Sequence, residues 1–126
     1  MLVLRAPGPA PTAPDRYLAL LQSPDKSTGW VVEVIAGDKV RLVPVGVTAE
    51  VPAGKALQFW TKADGWSAPV SLGLVKPGQR VQVPLDKLPA LEPNQLFELT
   101  LEPATGSPTG RPTGPIQFIG RAVPVT

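Results

Sequence analysis

Proline and glycine punctuate this chain so densely that a helix of ordinary length has little room to form. Of 126 residues, 17 are proline and 12 are glycine. Proline removes a backbone donor and clashes with the preceding helical turn. The segments between these residues are short and apolar, which favours many strands joined by tight turns. Leu, Val, Ile and Phe supply 36 residues, enough apolar surface for a packed core rather than a disordered chain. The length suits a single domain.

Taken in order, Pro7 to Pro14 reads as a semi-rigid polyproline connector, so residues 1–16 are expected to be a spacer and residues 17–126 one domain. Tyr17 to Leu21 reads as a strand closed by Ser23-Pro24-Asp25. Trp30 to Ile35 and Lys39 to Val43 form a hairpin around Ala36-Gly37-Asp38. Pro44 and Pro52 confine Val45 to Val51 to a loop or a sheet edge, because proline cannot donate to a ladder. Lys55 to Lys62 is a strand with Leu57 and Phe59 on one face and Trp60 on the other, and Asp64-Gly65 is expected to turn it with a positive φ.

In Val70 to Val75, Gly73 marks a bulge or a close backbone approach. Arg80 to Leu85 places Val81, Val83 and Leu85 on one face, and the connection after Asp86 is expected to tuck Leu88 and Leu91 against the core. The last third is the most regular. Phe97, Leu99 and Leu101 alternate with Glu98, Thr100 and Glu102, the period of a strand with one buried side. A Pro/Gly loop from Ala104 to Pro115 follows, and Ile116 to Gly120 returns as a strand. About eight strands with turns between them predict an all-β fold, an antiparallel β-sandwich.

Composition narrows the chemistry. With no cysteine and no histidine, disulfides, thiolate nucleophiles, zinc hydrolases and Ser/His or Cys/His catalysis are excluded. Lys and Arg number 12 against 10 Asp and Glu, and the cations are scattered singly, so no nucleic-acid partner is expected. No apolar run reaches the roughly 20 residues of a membrane span. Glu98 and Glu102 lie about 13 Å apart along a strand, too far for a glycosidase pair, and read as solvent-facing carboxylates. The Gly-rich loop lacks the Gly-Lys-Ser/Thr ending of a phosphate cradle. No catalytic, cofactor-binding or metal residue is therefore assigned, and no cofactor is expected. Trp30 and Trp60 read as packing residues. The candidate partner contacts are Trp66, beside the Asp64-Gly65 turn, and Gly106, Ser107, Pro108, Pro112, Thr113 and Gly114 in the loop.

Three blocks in order carry a resemblance: Leu57-Gln58-Phe59-Trp60, then Pro69-Val70-Ser71-Leu72-Gly73-Leu74, then Leu99-Thr100-Leu101-Glu102-Pro103 with Gly106-Ser107-Pro108 and Pro112-Thr113-Gly114-Pro115. From about Tyr17 to Gly120 the chain resembles the C-terminal extracytoplasmic domain of the anti-sigma-K factor (RskA-like) family. It departs in having Thr105 where glycine is common, and in carrying Gly110-Arg111 inside the loop, changes expected to alter loop length alone. The resemblance implies a periplasmic sensor domain of a membrane-bound anti-sigma factor, without enzymatic activity. It further implies a sigma factor held by a cytoplasmic segment ahead of Met1, a transmembrane helix as tether, and release of the sigma factor by regulated proteolysis. Sandwich edges leave a homodimer open. The alternatives are a structural or adhesive β-sandwich module of a cell-envelope protein, using Trp66 and the loop for contact, and a histidine-free hydrolase resting on the carboxylates alone.

Overall fold

The computed structural model describes residues 16–35, 39–46, 50–86 and 88–125. These hold nine strands, β1 Arg16–Gln22, β2 Thr28–Ile35, β3 Lys39–Pro44, β4 Lys55–Lys62, β5 Val70–Val75, β6 Val81–Pro84, β7 Leu96–Pro103, β8 Ile116–Arg121 and β9 Val123–Pro124. Every pairing is antiparallel, and the strands run in the spatial order β5-β4-β7-β8-β1-β2-β3-β6, with β9 added beside β1. The all-β expectation is met. The strand beyond the expected eight is β9, two residues long, which runs alongside Tyr17 and Leu18 of β1.

Alternation sets the faces. Tyr17, Ala19 and Leu21 of β1, Trp30, Val32 and Val34 of β2, and Val40 and Leu42 of β3 point to one side and are buried. Leu57 and Phe59 of β4 and Phe97 and Leu99 of β7 enter the same apolar cluster. Both halves of the array thus feed one core, so the sheet is folded over on itself. Phe59 and Phe97 stack within it at a ring separation of 5.8 Å. Leu88 and Leu91 pack against this core from the connection before β7, as their spacing suggested.

The expected bulge lies in β5. Phe59 stands opposite Gly73 and Trp60 opposite Ser71, so Leu72 is the extra residue, and Gly73 adopts φ +108°, which glycine reaches without steric cost. The β4–β5 turn differs from expectation. Trp66 N–H donates to Ala63 O at 3.0 Å, and Gly65 is not among the residues of positive φ. An i to i+3 bond of type I geometry closes it without left-handed backbone. The spacer to residue 15, the Ala36-Gly37-Asp38 turn and residues 47–49 of the Val45 to Val51 segment lie outside the described residues.

The larger correction concerns β7. Its Glu98 and Glu102, expected to face solvent, are 5% and 0% exposed. Phe97 and Leu99 do face the core, but the opposite face is covered as well. The loop after Pro103 folds back onto Glu102, and Glu98 lies between Trp60 and Ile119 of the flanking strands, so a one-sided alternation in sequence becomes a strand buried on both sides.

Candidate functional site

The covered face of β4 and β7 carries Gln58 and Trp60 on one strand and Glu98, Thr100 and Glu102 on the other. The register places Trp60 opposite Glu98 and Gln58 opposite Thr100. Trp60 is fully buried yet points away from the main core, where its indole Nε1–H donates to Thr100 Oγ1 at 2.8 Å. The Thr100 hydroxyl in turn donates a hydrogen bond to Glu102 Oε2 at 2.6 Å. A buried indole and a buried carboxylate are thereby joined through one hydroxyl, each polar atom satisfied by the next.

Glu102 then reaches the loop. The Thr113 hydroxyl donates to Oε1, Thr113 N–H to Oε2 at 3.1 Å, and Gly114 N–H to Oε2 at 3.1 Å. Burial pushes this carboxyl up, but the Thr100 and Thr113 hydroxyls and the two loop N–H groups outweigh it and hold it below the ordinary value of 4.5. Glu98, four residues earlier, goes the other way. Its burial and the repulsion of Glu102 raise its carboxyl.

Gln58 fastens the other end of the loop. Its Nε2 donates to Ser71 Oγ on β5 at 2.8 Å, and its Oε1 accepts Ser107 N–H at 2.8 Å. Ser71 Oγ also accepts Gly73 N–H at 3.1 Å, so the bulge of β5 is bound into the same unit. Gly106 sits against the Gln58 side chain at φ +98°. Gly114 lies so close to β7 that an added Cβ would stand 1.6 Å from Leu101 O. The loop is held at Gln58 and at Glu102, and its apex hangs outward. There Ser107 and Thr109 hydroxyls close onto Arg111 O, and Gly110 takes φ +78° with nothing near it. The additional Gly110-Arg111 is therefore accommodated at the exposed tip.

Of the candidate partner contacts, Gly106, Ser107, Thr113 and Gly114 are bound to the sheet in this way, Pro108 is exposed, and Pro112 is half-buried. Trp66 is half-buried at the far end of β4. Its turn is tied down by Arg121 Nη1, which donates to Asp64 Oδ1 at 3.2 Å and to Asn94 O at 3.1 Å. Gln58, Ser71, Thr100 and Glu102 were not expected as site residues. The signal for them is the polar residue on the outer face of an otherwise apolar strand, repeated on neighbouring strands.

The chain is thus an all-β module whose buried polar side chains fasten its own loop. The chain belongs to the anti-sigma-K factor family: the family model described as anti-sigma-K factor rskA, C-terminal, matches residues 2–116. No curated protein and no solved structure matches it. Among the described residues, no helix is long and apolar enough to cross a membrane.

Proposed function

We propose that this chain is the extracytoplasmic sensor domain of a membrane-bound anti-sigma factor, and that it restrains regulated proteolysis while its loop is fastened. One observation carries this reading. The blocks by which the chain resembles the family, Gln58 to Trp60, Ser71 to Gly73, Thr100 to Pro103 and Gly106 to Pro115, form a single hydrogen-bonded clasp. Such a clasp has a fastened and a released state, and release would bare the outer face of β4 and β7 together with a long Pro/Gly segment. An extended, unpinned loop is what a protease requires. The sigma factor is held by a segment ahead of this domain, and the domain itself contributes the decision to let go.

The test is to read the native gene upstream of the Met1 codon and to express the whole product. The expected result is a frame continuing through about 20 apolar residues with a soluble segment before them, and a sigma factor that co-purifies with that segment. A true start at Met1, or a full-length product that retains no sigma factor, overturns the proposal.

A further inference from the structure

The sequence shows no run of basic residues, but the sheet collects some. On the outer face of β9, β1, β2, β3 and β6 the register lines up rows across the strands. One row joins Arg16, Ile35, Lys39 and Pro84. The next joins Val123, Leu18, Glu33, Arg41 and Gln82. A third joins Leu20, Val31 and Val43. Arg80 comes to the same place, lining with Arg41 and Gln82 a shallow depression of about 460 Å³, and a neighbouring one of about 250 Å³ is lined by Ile35, Lys39, Arg41 and Gln82. Among the described residues of these rows, four cations, Arg16, Lys39, Arg41 and Arg80, stand with one acid, Glu33, which pairs with Arg41 at 3.8 Å.

The other end of the face is apolar. Among the described residues, Leu20, Ile119, Val123 and Val125 belong to the seven most exposed large hydrophobic side chains, with Leu20 50% and Val123 56% exposed. Leu20 and Val123 flank the basic rows, and Ile119 stands opposite Gln22 at the β1–β8 junction. Five neighbouring strands span about 19 Å, so cations and aliphatic side chains share one broad, open surface.

We propose that this face docks the domain on an anionic phospholipid surface, with Arg16, Lys39, Arg41 and Arg80 at the phosphates and Leu20 and Val123 entering the interfacial layer. Charge complementarity selects an anionic occupant, and the adjoining aliphatic band selects one with an apolar layer behind its charges. A nucleic acid fits poorly, since no aromatic side chain among the described residues of this face is available to stack on bases. The inference does not rest on the sigma-factor reading, because it concerns lipid binding by this chain alone.

Each cation brought to an anionic surface raises partitioning about fivefold, so two cations are worth roughly 25-fold. The experiment is flotation of the 126-residue chain with phosphatidylcholine vesicles, with and without phosphatidylglycerol, at low and high salt. Binding is expected only with phosphatidylglycerol, weakening as salt rises. The double variant R41Q/R80Q should bind roughly 25-fold more weakly, and Leu20→Ser should bind more weakly while keeping the salt dependence. Both variants should melt like the parent, since all three positions are solvent-accessible. Equal binding to both vesicle types, absence of binding to either, or an unchanged R41Q/R80Q variant overturns the proposal. So does capture by soluble polyglutamate without capture by vesicles, which would assign the face to an acidic protein.

Discussion

Glu98 and Glu102 are chemically identical, stand four residues apart on one face of one strand, and are driven in opposite directions. Glu102 is met by hydroxyls of Thr100 and Thr113 and by two loop N–H groups, so its folded form prefers the charge. Its stabilising contribution is present above its unfolded value near 4.5 and is lost as pH falls through the lower folded value. Glu98 is buried beside that charge, with its folded value above 4.5, so ionising it above that range works against folding. Replacing Glu102 by Gln should therefore cost about 3 kcal/mol at neutral pH, because donors aimed at a carboxylate face an amide instead. Replacing Glu98 by Gln should raise the melting temperature at neutral pH, with the gain vanishing as pH falls below 4.5, where the native carboxyl is protonated anyway. Thermal melts of both variants across acid to neutral pH decide the assignment, and a destabilised Glu98→Gln at neutral pH would contradict it.

At the scale of the element, the clasp makes β7 and its loop one unit. Gly114 is its tightest point, since a methyl group there would collide with Leu101 O, a backbone atom that cannot swing aside. Gly114→Ala is expected to lift the loop from Glu102 while leaving the core strands paired. Hydrogen exchange should then show the Ser107, Thr113 and Gly114 region losing protection, with Leu99 and Phe97 on β7 keeping theirs. Equal loss in both places would mean that the loop and the strand do not open separately. The strands were legible in sequence because alternation and Pro/Gly punctuation act locally: the faces of Leu57 and Phe59, the bulge at Gly73 and the tucked Leu88 and Leu91 all follow from nearest neighbours. The burial of Glu98 and Glu102 was not legible. A polar residue on a strand's second face predicts solvent unless something distant covers it: over Glu102 the cover is a loop also held by Gln58, more than 40 residues earlier, and beside Glu98 it is Trp60 of β4. The basic face escaped for the same reason, its cations coming from β1, β3 and the start of β6 and meeting only through strand register. The Asp64-Gly65 turn shows a smaller version, where the residue pair permits a positive φ that the chain does not use.

At the scale of the whole molecule, the question is whether the folded-over sheet opens as one body. The two halves meet along β1, which pairs with β8 at Gln22 and Ile119 and with β9 at Leu18 and Val123 and at Tyr17 and Pro124. A junction of three pairs would let the halves separate if each had its own core. The apolar cluster denies them that, because Trp30 and Val32 of β2 are buried together with Phe59 of β4 and Phe97 of β7. Opening either half would expose the shared side chains of both, at about 25 cal/mol for each Å² of apolar surface, so partial unfolding has little to recommend it. Unfolding is therefore expected in one cooperative transition, with limited proteolysis of the folded chain confined to the first sixteen residues and leaving a fragment from Tyr17 to Arg121 intact. The tryptophans supply the control, because Trp30 reports the common core and Trp60 the clasp. In a chain retaining Trp30 but carrying Trp60→Phe, fluorescence and circular dichroism should still fall together in denaturant, at a midpoint lowered by the loss of one indole hydrogen bond, about 1 kcal/mol. Two separate transitions, or early cleavage between Leu57 and Leu101, would mean that the halves fold independently and that the junction along β1 is a hinge between them.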